Sequence, residues 1–387
     1  MLLVMNIWYI TNLPAPYTVE FFERLGRRCE LQVIYERRSA SDRDLKWKTE
    51  VNNDKPYSER YINNIDIGGE NSIGLGLIRF LKRELKRNCP DAIIFGDYGT
   101  YSSILAIMFL KKNGVPYIIS TDGGFVNHEE SWIKSKIKRY LIGGASWWFS
   151  SGGLTEDYLT YYGAKKDRIT QYPFTSLRKE DILTNCLNKE EKCNIRMRLG
   201  LPSGKLLLGV GQFIPRKGWD ILLEAFDVLV ENNEDISLLI IGGNEDSFEQ
   251  LVGRSIPKRV HIIPFVIKNE LIQYYKCADI FVLPTREDIW GLVINEAMAA
   301  GLPIITTDRC NAGIELIENG VNGFIAKADD KDSLLESLNE ILRLSDEDIF
   351  EMSEAGLKVI SEYSFDDMAE AYISGLNLYE SKKDTIQ

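Results

Sequence analysis

Asp288 and Glu296 stand eight residues apart on either side of a glycine, in the run Leu283-Pro284-Thr285-Arg286-Glu287-Asp288-Ile289-Trp290-Gly291-Leu292-Val293-Ile294-Asn295-Glu296. An apolar strand over Ile280–Leu283 ends at Pro284, an acidic loop follows, and a helix opens near Gly291, to be stopped by Gly301 and Pro303. The first N–H groups of a helix have no partner within it, so the backbone after Gly291 suits a phosphate, and glycine lets that phosphate come close. Glu296 lies about one and a half turns into the helix, where its carboxylate could accept hydrogen bonds from a diol such as a ribose. Asp288, on the loop, could bind sugar hydroxyls. The helix dipole alone also favours acidic residues here, so the two carboxylates by themselves leave both readings open. Upstream, Gly211-Gln212-Phe213-Ile214-Pro215-Arg216-Lys217-Gly218 places a basic pair between a strand and a helix. With two histidines in the chain, His128 and His261, a histidine-rich metal site is excluded.

These segments sit in a regular alternation of β-rich and helical stretches, the pattern of an α/β protein with parallel sheets. The first half offers strands at Asn6–Ile10, Glu30–Tyr35, Ala92–Phe95, Tyr117–Ser120 and Trp147–Ser150, with helices over Thr18–Arg28 and Ile73–Asn88. The second half offers Leu206–Gly211, Ser237–Ile241, Val260–Ile263, Ile280–Leu283 and Pro303–Thr306. We therefore expect two doubly wound, Rossmann-like domains: residues 1–180, a polar linker over 181–204, and 205–365. A final helix, 366–387, could pack back on the first domain. In such sheets ligands bind at the carboxyl ends of the strands. Six cysteines without a C-x-x-C pair point to reduced thiols in a cytosolic protein.

The segment Pro284–Pro303 resembles the donor signature of family-four retaining glycosyltransferases of the GT-B fold, E-x7-E followed by A-M-A-x-G-x-P, with Asp288 where the first Glu usually stands. The strand, loop and helix over Gly209–Asp220 resembles the family element whose basic pair grips the donor diphosphate. Lys217 matches the family lysine, Arg216 stands beside it, and Gln212 replaces a frequent arginine. Val260–Val266, with Phe265, resembles the strand and loop whose backbone meets the nucleotide base, and Tyr275-Lys276-Cys277-Ala278-Asp279 a structural helix end. The resemblance implies two domains facing across a cleft. It implies a nucleotide-diphosphate sugar, UDP-sugar favoured, as co-substrate, with neither cofactor nor metal. Donor-binding residues would be Gln212, Arg216, Lys217, Phe265, Asp288, Trp290, Gly291, Leu292, Val293 and Glu296. Lys217, Asp288 and Asp122 would be the catalytic residues, Asp122 being expected in the cleft because it follows a strand and precedes Gly123-Gly124. Many relatives have a histidine near that point, and His128 is the alternative. On the acceptor side stand Tyr17, in a proline-rich loop where Thr18 would cap the next helix, Asp97 and Tyr98 after a strand, and Gly123 and His128.

The function implied is transfer of a sugar to a glycan or lipid-linked glycan acceptor, with retention, in bacterial surface polysaccharide synthesis. A nucleotide-sugar epimerase, a sugar phosphorylase, or a non-catalytic sugar-nucleotide-binding protein remain alternatives.

The net charge of −11 argues against general nucleic-acid binding. Its distribution is uneven: 26 basic and 21 acidic side chains in residues 1–180, 20 and 36 in the rest. Two basic helical stretches, Ile73–Asn88 and Ser131–Tyr140, make peripheral contact with an anionic membrane an expectation beside that of ordinary solvated faces. No apolar run approaches the about 20 residues a spanning helix needs, and Met1–Ile10 reads as a core strand, not a signal peptide. The expected location is the cytoplasm, at the inner face of the membrane if that contact is made.

Overall fold

A computed structural model describes residues 5–38, 54–62, 65–66, 72–73, 75–231 and 235–386. The chain divides into two compact units, Met1–Phe174 with Phe365–Gln387, and Thr175–Ser364.

The first unit runs β1 (Asn6–Thr11), α1 (Pro16–Gly26), β2 (Glu30–Tyr35), β3 (Ser58–Tyr61), a two-residue hairpin of β4 (Ile65–Asp66) and β5 (Ser72–Ile73), α2 (Gly76–Glu84), β6 (Ala92–Phe95), α3 (Tyr101–Lys112), β7 (Ile118–Thr121), α4 (Trp132–Ile142), β8 (Trp147–Ser150), α5 (Gly153–Tyr161) and β9 (Ile169–Gln171). Seven strands form one sheet in the order β3-β2-β1-β6-β7-β8-β9, every pair parallel. The strands are apolar on both faces because helices cover both, and β6, β7 and β8 are buried along their whole length. Pro16 opens α1, where its missing N–H costs nothing. Thr18 is not the cap expected of it. Ala15 is, and Thr18, three residues on, folds back to accept from the Ala15 N–H at 3.1 Å.

The second unit runs α6 (Lys189–Leu199), β10 (Lys205–Val210), α7 (Trp219–Glu231), β11 (Ile236–Ile241), α8 (Glu245–Val252), β12 (Val260–Ile263), α9 (Lys268–Cys277), β13 (Ile280–Val282), α10 (Leu292–Ala299), β14 (Ile304–Thr307), α11 (Asn311–Leu316), β15 (Gly323–Ala326), α12 (Lys331–Arg343) and α13 (Asp346–Ile360). Its sheet repeats the first order, β12-β11-β10-β13-β14-β15, again all parallel. Each sheet thus reverses its winding beside its first strand, between β1 and β6 and between β10 and β13. That is where the fold opens a crevice at the strand ends.

The expected linker over 181–204 is instead part of the second unit. Asn188 caps α6 and the Arg196 guanidinium is buried, donating to the carbonyls of Cys277 (2.7 Å) and Gly204 (2.6 Å). The segment is polar because most of α6 faces water, not because it is extended.

The last helix, α14 (Phe365–Ile386), is built into the first unit. The Tyr372 ring stacks on Phe149 at 4.2 Å and its hydroxyl meets Ser120 Oγ at 2.5 Å, while Asp366 pairs with Arg28 at 3.1 Å. Tyr372→Ala removes a fully buried ring that also touches Tyr9, Phe21 and Tyr172. It should lower unfolding stability by about 3–5 kcal/mol in denaturant titrations; a loss under about 1 kcal/mol would show that α14 is not needed by the first unit.

Candidate functional site

The turn after β10 and the loop after β13 lie against each other at the reversal of the second sheet. Pro215–Lys217 form one 3-10 turn, ended by Gly218 at φ +71°. A side chain on Gly218 would come within 2.1 Å of the Pro284 carbonyl, so only glycine lets the two segments touch. Arg286 ties them further. Its backbone N–H donates to the Arg216 carbonyl (2.8 Å), and its guanidinium donates to the Pro215 carbonyl (2.6 Å), to both Asp220 oxygens (2.9 and 2.7 Å) and to Asp329 (2.7 Å). Thr285 Oγ1, fully buried, lies 3.0 Å from the Arg216 carbonyl.

This clamp brings three of the expected residues together. Lys217, nearly buried, pairs through Nζ with Asp288, and Arg216 Nη1 reaches the other Asp288 oxygen at 3.3 Å. Glu287, next to Asp288, turns outward to Arg309 at 2.8 Å. The Asp288 N–H donates to the Arg309 carbonyl (2.8 Å), which fixes the loop on the far side. Gly291, at φ +101°, caps α10, and a Cβ there would strike Cys310 Sγ at 2.8 Å. The first bond within α10 runs from the Ile294 N–H to the Gly291 carbonyl (2.8 Å), so the Leu292 and Val293 N–H groups precede it. One carboxylate is thus paired with two cations, and a Cβ on the helix-capping Gly291 would lie 3.8 Å from the carboxylate carbon.

Glu296 follows on α10. Its carboxylate accepts from Ser176 Oγ (2.9 Å) and Tyr275 OH (3.0 Å). Burial pushes its pKa up, against the lowering effect of those bonds and of Lys268. Two carboxylate oxygens offer about four acceptor sites, so these bonds leave capacity for a diol. Ser176 and Lys268 had no signal in the sequence, and Tyr275 reads there as structural. Lys268 Nζ donates to the Ser176 carbonyl and to Asp181, both at 2.7 Å, which holds Ser176 on Glu296.

Other expected donor residues are placed differently. The Trp290 indole is sealed inside the unit, its Nε1 donating to Asn295 Oδ1 at 2.9 Å, so its side chain offers no surface to a ligand. Gln212 is exposed, and its carbonyl accepts from Trp219 Nε1 at 3.0 Å. Phe265 is exposed just after β12.

In the first unit the strand ends gather a different chemistry. Asp122, after β7, lies close enough to Tyr9, Tyr98 and Tyr172 for its charge to help raise their phenols above the ordinary range, burial being the larger cause. Tyr98 OH meets Tyr158 OH at 2.8 Å. Asp97 accepts from the Gly99 N–H (2.8 Å), and the Gly123 carbonyl from Thr121 Oγ1 (2.9 Å). His128 stands on an exposed stretch of the same loop, edge-on to Tyr161 at 5.7 Å. Tyr17 sits edge-on to Phe174 at 5.8 Å. Not anticipated is Glu36, a fully buried carboxylate after β2 that accepts from Thr100 Oγ1 (2.8 Å) and Ser103 Oγ (2.6 Å). Beside it Arg37 Nε donates to Asn12 Oδ1 at 2.8 Å.

Residues 193–359 match the sequence family described as glycosyl transferases group 1. The second unit carries a glycosyl transferases group 1 domain. It spans α6 to α13 and so contains the whole cluster around Asp288. Among relatives, an uncharacterized glycosyltransferase of Haemophilus influenzae is 29% identical over 180 residues, 45% of this chain and 50% of that protein. The chain spans about half the length of such relatives. Among solved structures, Anabaena Alr3699/HepE in complex with UDP superposes with a TM-score of 0.74 at 14% identity, covering 97% of this chain and all of that one. Sucrose-phosphate synthase from Thermosynechococcus elongatus does so with a TM-score of 0.74 at 15% identity, over 98% of this chain. Both likenesses extend beyond the group 1 domain and show the GT-B fold of two Rossmann-like units.

The clamp has a pH signature. Burial pushes the Asp220 carboxyl up, but its hydrogen bonds with Arg286 outweigh that and hold it below its usual range. A lowered pKa adds stability above the unfolded value and loses it as pH falls through the folded one. The melting-temperature gap between the wild type and Asp220→Asn should be full at neutral pH and narrow as pH drops below the ordinary aspartate range. A gap independent of pH would rule out the ion pair as its source.

Proposed function

We propose that the chain is a glycosyltransferase that moves a sugar from a nucleotide-diphosphate sugar, UDP-linked by preference, to a hydroxyl of a glycan or lipid-linked glycan. The observation that carries this is the placing of Lys217, Arg216 and the α10 N-terminus around one point at the end of the second sheet. Fixed positive charge at that point stabilises a departing diphosphate, and Glu296 with its Ser176 and Tyr275 partners offers the acceptor for a ribose diol. Asp288 then balances the two cations until the donor arrives and positions sugar hydroxyls afterwards. The match to group 1 transferases and the likeness to a protein solved with UDP support this reading.

Transfer with retention needs no strong protein base. The acceptor oxygen bonds to the anomeric carbon on the face from which the diphosphate leaves, the carbon–phosphate-oxygen bond breaks, and the acceptor proton passes to the leaving phosphate oxygen. The two cations and the helix end supply the charge that a metal ion supplies elsewhere, so the reaction is proposed to run without one. Asp122, among its tyrosines, is proposed as a polar contact to the reacting sugars, with Asp97 and Tyr98 on the acceptor side. Cytoplasmic synthesis of a bacterial surface polysaccharide is the setting proposed.

Lys217→Ala should cut turnover by about a hundredfold or more and weaken UDP binding measured by calorimetry, with the melting temperature of the first unit unchanged. Wild-type turnover on a native donor and acceptor would refute the assignment. Glu296→Gln should weaken UDP binding by about tenfold, the loss of a charge-assisted hydrogen bond, and leave binding of inorganic diphosphate as it was. Equal loss for both ligands would move Glu296 from ribose to phosphate.

A further inference from the structure

The two basic stretches of the first unit differ once folded. In α2 the apolar residues Leu77, Phe80 and Leu81 are buried and Ile78 is half-buried, so within the helix only charged side chains are exposed. In α4 the opposite holds. Trp132 is 68% and Ile133 62% exposed, and Ile137 and Tyr140 are exposed with them. Ile133, Ile137 and Tyr140 recur at the spacing of one helix face. The neighbouring helix α3 repeats the pattern with exposed Tyr101, Leu105 and Met108. Lys111 joins the two helices, donating to the Tyr140 carbonyl at 2.7 Å and lying 3.7 Å over its ring.

This face is rigidly held and uniformly charged. Leu141 and Ile142 anchor the end of α4 in the core, where their carbonyls accept from Tyr117 OH (2.5 Å) and Trp148 Nε1 (2.9 Å). Neither α3 nor α4 contains an acidic residue, while together they carry Lys111, Lys112, Lys134, Lys136, Lys138 and Arg139. Of the two acidic residues just before α4, Glu130 is taken up by Lys138 at 2.8 Å and by Tyr162. Lys136 lies 4.0 Å over the Trp132 ring. Large apolar side chains in such number on one surface mark an interaction site.

We propose that the α3–α4 face docks on an anionic lipid bilayer, with Trp132, Ile133, Ile137, Leu105 and Met108 entering the interface and the lysines meeting the headgroups. The charge decides the occupant. A second copy of the same face would set lysine against lysine, whereas tryptophan, tyrosine and aliphatic residues rimmed by lysine and arginine are the composition of an interfacial helix pair. The inference stands on the first unit alone and does not depend on the donor site.

Co-sedimentation of the full chain with vesicles tests it. Vesicles of phosphatidylcholine containing about 30% phosphatidylglycerol should bind it at low salt, pure phosphatidylcholine should not, and about 0.5 M salt should release it. Ile133→Ser with Ile137→Ser, and separately Lys134→Glu with Lys136→Glu, should each lower partitioning by at least about tenfold. Both pairs are exposed, so the melting temperature and UDP binding should stay at the wild-type values. Absence of wild-type binding at low salt would overturn the proposal, as would variants that bind undiminished. So would self-association of the wild type, abolished by the isoleucine variant, without vesicle binding.

Discussion

A lysine ammonium almost withdrawn from water needs a counter-charge, and Lys217 finds its own in Asp288. Leaving either alone would cost several kcal/mol, so the turn after β10 and the loop after β13 are bound to stay together. The Arg286 guanidinium secures the same pair of segments from outside through Asp220, Asp329 and the Pro215 carbonyl. Two cations face one carboxylate in the loop that leads to a helix N-terminus, while Arg286 with Asp220 and Asp329, and Arg309 with Glu287, bring the wider cluster to neutrality. The two cations are thus held in place at the strand end before any ligand arrives.

The two sheets share a strand order but not the chemistry at their strand ends. The second unit presents paired cations and a glycine-capped helix. The first presents Asp122 among tyrosine hydroxyls, and encloses the Glu36 carboxylate with a threonine and serine pair. The same winding can therefore present different chemistry at its two reversals, because the loops and not the sheets set the polarity.

How much of this was legible in the sequence follows from where the information resides. The strands β2, β6, β8 and β12 are mostly apolar or aromatic and read directly, and Gly291 and Lys217 are signalled by their position between a strand and a helix. The edge strands β3 and β9, with the sequences Ser-Glu-Arg-Tyr and Ile-Thr-Gln, do not read, since a partly exposed edge has no apolar run to show. Nor does α6, whose buried surface rests largely on an arginine. Arg286, Ser176 and Glu36 act through partners between 43 and 120 residues away, and no local pattern marks such pairs. Trp290 misled in the other direction: an aromatic inside a binding motif turned out to support the loop from within.

The course of the chain places α14 in the first unit after the whole second unit has been traversed. A ribosome delivers the chain from its N-terminus, so β1 to β9 emerge long before the helix that covers Phe149 and Ser120. The second unit, continuous in sequence, can close while the first still shows a patch of uncovered aromatic rings. The helix that seals the first sheet is therefore delivered only after the whole second unit, and a nascent chain stalled short of Phe365 would leave that aromatic surface uncovered.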